Sequence, residues 1–427
     1  MNLNFTVPVE PARFEVTAPQ ETSRITRSER IHAIDWLRVL AFAILMIYHT
    51  AEVFTTWNWW IKNDETSALL SYVMKFFHEW RMFLLFVISG AATHLALGKR
   101  SAAKFLNDRI LRILIPLFAG MLLVIPPQVY FIRLNQGQDM SYTAFYADLL
   151  QSGWFPQGNL HWLHLWYMAF LFAFVVLMIP VIAAIKTERG KRITGQLARF
   201  LSNRVFLLSA AVLLEAPFYL AKFLDLHENV RTAFLYFPYY AFGALFLVDM
   251  NIRNSLISNR RTGLLLAACT TTAFYLFFWI RDSSGSALIS LPLTEGATET
   301  ARILLKSFNR WFWVLTIAGY GLHYLTRGNR FLNYANQAVA PFYILHQTVI
   351  ILVAYYTVDL SLDIPVKFYM ILSLTFLSIF LLYHFVLQRL RITQILFGIK
   401  RAPKARPAKA RPFLYSRNYE PDQTEAI

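Results

Sequence analysis

The sequence predicts an all-α integral membrane protein of about ten transmembrane helices with both termini in the cytoplasm. Three observations carry that expectation. Of the 427 residues 56% are apolar and only 15% charged, with a mean hydropathy of +0.42, whereas a soluble domain needs roughly a quarter of its residues charged to coat its surface. The apolar residues gather in runs of about 20, the length that crosses a hydrocarbon core. The Lys and Arg residues, which give a formal net charge of +16, fall unevenly on the segments between those runs. An ordinary soluble enzyme is excluded. Low Gly and Pro content excludes a fibrous protein, and the lone Cys269 excludes a disulfide framework.

The runs are placed at 33–55, 76–98, 111–132, 164–185, 204–222, 232–249, 262–280, 308–326, 337–357 and 366–388. Residues 1–30 are a polar cytoplasmic leader with no apolar h-region, so no cleavable signal peptide is expected. Residues 31–390 form the membrane domain, and 391–427 a basic, disordered cytoplasmic tail. The tail's Lys400–Phe413 stretch alternates basic residues with Ala and Pro, a composition suited to anionic lipid head groups. No nucleic-acid partner is expected. With the N-terminus inside, 29 Lys and Arg fall on inner segments and 10 on outer ones, the asymmetry of the positive-inside rule. The surplus charge is mostly a topology signal.

Ionisable residues inside the runs are costly there and therefore mark function by default. The first run carries Asp35, Arg38, His49 and Glu52. Arg38 and His49 are 11 positions apart, which places them on one helix face about 16 Å apart along the axis. Taken alone, Arg38 also reads as a snorkelling inner anchor and His49 as an interhelical hydrogen bonder. The second run, entered through a short outer connection, carries His78, Glu79 and Arg81 near the same membrane depth. Together these could form either a salt-bridge clasp or a base, orienting carboxylates and a cation for developing negative charge. Arg109 and Arg112 open the third run, as inner anchors or as ligands for a phosphorylated molecule. His161 and His164 stand at the outer mouth of the fourth run beside Trp162, Trp166 and Tyr167. Glu215, next to Pro217, is deep in the fifth, and His346 is near the middle of the ninth. Trp154, Trp162 and Trp311 could stack on sugar faces, while Trp57, Trp59 and Trp60 fit an outer aromatic belt. No glycerolipid-type His-x4-Asp, zinc-protease helix, P-loop or dinucleotide fingerprint occurs, and no metal site is expected.

These residues also carry a resemblance. Arg38 followed by ten residues and His49, then Arg81-Met82-Phe83 through Ser89-Gly90, Arg109-x-x-Arg112, His164-Leu165-Trp166-Tyr167 and Phe342 to Gln347 resemble the acyltransferase family 3 membrane proteins. The second run and the late His-Gln look like the branch that includes the glucan biosynthesis protein C type. Ala91 departs from the aromatic residue that often follows Ser-Gly there. The resemblance implies an enzyme of a bacterial inner membrane that moves an acyl group, acetyl or succinyl, from a cytoplasmic acyl-CoA to a hydroxyl of a glycan, glucan or lipid-linked saccharide at the outer face. No permanently bound cofactor is implied. On this reading Arg38, Arg109 and Arg112 hold the donor, and His49, Glu52, Arg81 and His346 are catalytic, with Glu52 orienting the imidazole. His78, Glu79, His164, Trp166 and Glu215 lie on the acceptor side. A transporter of an acyl- or sugar-containing solute is the alternative, although no inverted repeat is visible. A non-catalytic scaffold leaves the buried charges unexplained.

Overall fold

The computed structural model describes residues 31–98, 100–149, 151–154, 157–283 and 295–399. Compactness divides the chain after Ile31, and the expected leader (1–30) and the tail from Lys400 lie outside the described residues. Among those described, every regular element is helical, and the single isolated bridge joins Trp154 to Leu160. In chain order the helices are α1 (His32–Glu52), α2 (Ala68–Leu97), α3 (Ala102–Arg109), α4 (Ile115–Ala119), α5 (Ile125–Asn135), α6 (Tyr142–Asp148), α7 (Trp166–Ile185), α8 (Glu188–Ser202), α9 (Arg204–Phe223), α10 (Glu228–Leu245), α11 (Met250–Ser283), α12 (Glu295–Tyr324), α13 (Arg330–Thr357), α14 (Ile364–Leu382) and α15 (Arg391–Leu396).

Each predicted run except the third falls largely on one of these helices, and the third (111–132) is divided over α4, α5 and the turns that join them. By length and composition seven segments can cross a membrane, or eight if α10 and α11, bent by 111°, make one crossing. Charge sets α12 apart, because Glu299, Arg302, Lys306 and Arg310 follow one another along it.

Proline shapes the third segment. Five-residue π-helical turns join α3 to α4 and α4 to α5, where Pro116, Pro126 and Pro127 withhold backbone donors. The carbonyl of Leu122, four residues before Pro126, accepts instead from the Tyr146 hydroxyl at 2.9 Å. Such a freed carbonyl in an apolar medium requires a new partner. Thr348 of α13 similarly donates to the Val124 carbonyl at 2.9 Å, tying α13 to this broken segment.

The α2–α10 pair is set by two glycines. A Cβ on Gly90 would lie 2.0 Å from the Tyr240 carbonyl oxygen, and one on Gly243 would lie 1.9 Å from that of Val87. Small residues let membrane helices approach backbone to backbone. Tyr240 and Thr93 then share a buried hydrogen bond of 2.9 Å. Ala91, next to Gly90, is fully buried, and it lines neither of the cavities around the site.

One boundary changes. Residues 391–399, expected in the disordered tail, are ordered: α15 forms, Phe397 is buried in the core, and Gly398 turns at φ +64° against the Arg112 carbonyl. Ile392, Ile395 and Leu396 supply the apolar content that the basic stretch beyond lacks.

Gly243→Ala should lower stability by about 1–3 kcal/mol, the usual cost of overpacking, seen as a lower melting temperature of the detergent-purified protein. Gly195→Ala, with nothing within 4 Å of the new carbon, should melt at or above wild type. Equal losses at both positions would show that the α2–α10 approach is not limiting.

Candidate active site

The first and ninth runs meet at two histidines. His49 sits in the last turn of α1, and His346 lies on α13 five residues beyond Pro341. His49 Nδ1 and His346 Nε2 are 2.8 Å apart. The other nitrogen of His346, Nδ1, is 2.6 Å from the Tyr343 carbonyl, which can only accept. His346 Nδ1 therefore carries the proton, and in the neutral ring its Nε2 is the acceptor. The bond between the rings then requires His49 to donate from Nδ1. His49 Nε2 is left with its lone pair, the state a general base needs.

Around this nitrogen lies a cavity of about 460 Å³, with Tyr48, His49, Glu52, Trp59, Trp60, His78, Arg81, His161, His164, Trp166, Tyr236, Arg310 and Gln347 in its lining. Trp59 stacks on the His49 imidazole with ring centroids 5.6 Å apart and planes 14° apart. Glu52 Oε2 is 3.8 Å from His49 Nε2 and has no hydrogen-bond partner among the described residues. The ring's hydrogen-bonded orienting partner is therefore His346, and the Glu52 contact expected from sequence is a charge at short range. Lys62, from the following loop, donates to the Glu52 carbonyl at 2.9 Å and to that of Thr55. A cation there complements the C-terminal end of α1, although burial pulls the Lys62 ammonium below its usual range, with Glu52 opposing.

Arg81 is buried, with its guanidinium carbon 3.6 Å from the centre of the Tyr48 ring. Its Nε and Nη1 have no hydrogen-bond partner among the described residues. Two orphaned donors on a cavity wall are a site for negative charge. The Tyr48 hydroxyl meets His78 Nδ1 at 2.9 Å. His164 Nε2 donates to the Ile344 carbonyl at 2.9 Å, and the His164 carbonyl accepts from the Tyr343 hydroxyl. His164 thus props the turn of α13 that holds His346. At the mouth, burial lowers the His161 imidazole below the usual histidine range.

A second, apolar cavity of about 230 Å³ lies on the other side of the histidine pair. It runs beside Val39 to Met46 of α1 and Phe331 to His346 of α13, with Phe376 and Phe380 of α14 also in its lining. His49 lines the first cavity and His346 the second. The pair is a partition.

None of Arg38, Arg109 and Arg112 lines either cavity. Arg38 donates to Asn336 Oδ1 at 3.1 Å and is 3.8 Å from Asp35, while Asn336 donates to Asp35 at 2.8 Å. Arg109 lies over the Phe105 ring, with Nε unpartnered among the described residues, and feels the charges of Arg112, Arg38 and Arg100.

Two expected acceptor-side residues are absent from the cavity lining. Glu79 accepts from Arg310 Nε at 3.1 Å and is 3.6 Å from Lys306, and Glu215 accepts from Arg310 Nη1 at 3.2 Å, Ser307 at 2.6 Å and Tyr239 at 3.0 Å. This is a buried clasp between α2, α9, α10 and α12, with Arg310 at its centre. Trp311 also leaves the sugar-stacking set: it is fully buried and donates to the Leu207 carbonyl at 2.8 Å. Sequence reasoning missed Tyr48, Trp59, Trp60 and Arg310 as cavity residues. The available signal was Arg310 itself, a charge inside an apolar run that was assigned to an outer segment.

Comparison with known proteins gives the family. A family model described as "Acyltransferase domain" matches residues 31–384. The chain is 21% identical over 328 residues to "Glucans biosynthesis protein C" of Shigella boydii, covering 74% of this chain and 79% of that one. Proteins of the same name from Shigella dysenteriae and Escherichia coli K12 match with the same identity and coverage. No solved structure matches.

Arg310→Ala leaves the buried Glu215 with no cation and Glu79 with Lys306 alone and should cost about 3–5 kcal/mol, read as loss of monodisperse protein or a large fall in melting temperature. Glu215→Gln keeps polar atoms near Tyr239 and Ser307 and should cost less. A stable Arg310→Ala protein would refute the clasp.

Proposed function

We propose a reaction for this chain on the premise that it belongs to acyltransferase family 3 and so transfers acyl groups other than aminoacyl groups. The donor is a cytoplasmic acyl-CoA carrying an acetyl or succinyl group, and the acceptor is a glucan hydroxyl at the outer face of a bacterial inner membrane. The observation that carries this reading is the partition: two cavities, one polar and one apolar, with a hydrogen-bonded histidine pair between them. The related Glucans biosynthesis protein C supports the acceptor class.

The donor's phosphates would meet Arg38, Arg109 and Arg112 as charge-assisted contacts. Its pantetheine arm would follow the apolar cavity, since Arg38 and His49 are about 16 Å apart along α1. The thioester end would pass the histidine pair into the polar cavity, where its carbonyl faces His49 and Arg81. In the polar cavity the acceptor hydroxyl gives its proton to His49 Nε2 while its oxygen bonds to the carbonyl carbon. Negative charge develops on the carbonyl oxygen, and Arg81 Nε and Nη1 receive it. The His49 imidazolium is stabilised by the lone pair on His346 Nε2, which accepts from His49 Nδ1, and by the Glu52 carboxylate 3.8 Å from His49 Nε2. The carbon–sulfur bond breaks, and the His49 proton passes to the leaving thiolate. The ester and free CoA result.

We place ten crossings and both termini in the cytoplasm. Support comes from the 29-to-10 division of Lys and Arg, with α10, α11 and α12 supplying the crossings beyond the seven apolar segments.

His49→Ala should abolish acyl incorporation into cell-envelope glucans, followed by mass spectrometry, in a protein that still inserts and melts normally. Wild-type transfer by that variant would sink the mechanism. His346→Ala should lower kcat by about 10²-fold or more, the lower range for a general-base contribution, with KM for the donor nearly unchanged. An effect confined to KM would instead make His346 a binding residue.

A further inference from the structure

Beyond the polar cavity lies another, of about 360 Å³, whose lining includes Lys222, Glu228, Arg231, Arg302, Lys306 and Arg310. Three helices build it. Arg302, Lys306 and Arg310 recur every four residues on α12, so they form one stripe about 12 Å long. Lys222 comes from the end of α9, and Arg231 from the start of α10. The α12 side chains are 27%, 21% and 13% exposed in that order, a ladder that descends from solvent into the protein. At its foot, Arg310 and Leu235 line this cavity and the catalytic one alike.

Five cations face this space against one lining acid, Glu228. The deep acids are committed: Glu79 and Glu215 hold Arg310 and Lys306 from behind. Nearer the mouth, Glu299 is shared between Arg302 and Lys222, which is 4.0 Å away. Arg231 is 3.8 Å from Asp225, a fully exposed carboxylate, and exposed pairs contribute little. Lys222 and Arg231 can therefore change partner at low cost. Arg302 is held bidentately by Glu299, so the groups open to a ligand are the Arg231 fork and the Lys222 ammonium. Two such separated donors suit an anion with several oxygens pointing in different directions, whereas a planar carboxylate is filled by one fork.

We propose that this cationic cavity seats a phosphate group belonging to the acceptor, placing the sugar hydroxyl in the adjoining polar cavity beside His49. The inference rests on the proposed acyl transfer only for the identity of that neighbouring cavity. The phosphate is either esterified to the saccharide itself or is the head group of a lipid that carries it. The cationic stripe also draws an anionic acceptor towards the histidine pair.

The test measures binding rather than turnover, so its failure and that of the acyl-transfer reading are distinguishable. Full-length protein with His49→Ala is placed in nanodiscs of zwitterionic lipid. It is titrated with a neutral oligoglucoside and with the same oligoglucoside bearing one phosphate ester. The phosphorylated ligand should bind at least about tenfold tighter, as expected for charge-assisted hydrogen bonds, with an advantage that shrinks as salt is raised. Lys222→Ala/Arg231→Ala should remove that advantage and leave the affinity for the neutral ligand unchanged. Discs containing a polyprenyl phosphate form the second arm. If the phosphate is lipid-borne, that lipid should compete with the phosphorylated oligoglucoside, and the double variant should abolish the competition. Equal affinity for both oligoglucosides together with no lipid competition would overturn the proposal. So would a phosphate advantage that survives the double variant.

Discussion

Arg310 is the charge around which α2, α9, α10 and α12 are joined. Taking a guanidinium out of water is costly, and this one meets two carboxylates from different helices, Glu79 and Glu215. Glu215 in turn accepts from Tyr239 and Ser307. Four helices are thereby locked at one depth. The same side chain lines both the polar cavity and the cationic one. Structural pairing and a functional surface are two faces of one residue.

The chemistry depends on a smaller constraint. A backbone carbonyl cannot donate, so Tyr343 fixes the proton of His346, and His346 fixes that of His49. A base is produced without any carboxylate hydrogen-bonded to it. Glu52 remains near enough to favour the charged imidazolium, yet at 3.8 Å it does not hold the ring. Arg81 is prepared in the complementary sense, with two donors desolvated and unpaired beside the same nitrogen's cavity. Paired charges build the frame, and unpaired ones face the reaction.

Much of this was legible in the sequence because low dielectric makes every buried ionisable residue conspicuous. Arg38, His49, Glu52, Arg81, His164 and His346 stood out on that ground, and the helical repeat put Arg38 and His49 on one face. Where the reasoning failed, it failed for identifiable reasons. Glu79 and Glu215 were assigned to the acceptor because a run shows a charge without showing its partner. Trp59 read as an interfacial anchor because the turn after α1, which brings it back over His49, depends on Lys62 binding the carbonyls of Glu52 and Thr55. Residues 391–399 read as tail because their few apolar side chains gain a helix only by packing on the core.

The sequence by itself determined the class of environment, the helical content and the short set of residues able to do acid–base chemistry. Apolar run length and the cost of buried charge are local properties, and no partner is needed to see them. Only the tertiary structure decided which charges neutralise one another. His49 and His346 are 297 residues apart, and Arg310 is 231 residues from Glu79. Contacts at that separation are made by helix packing, through close approaches such as Gly90 on Tyr240 and Gly243 on Val87. Packing therefore decided which histidine nitrogen stays free, which arginine is spent on structure, and where the two cavities meet.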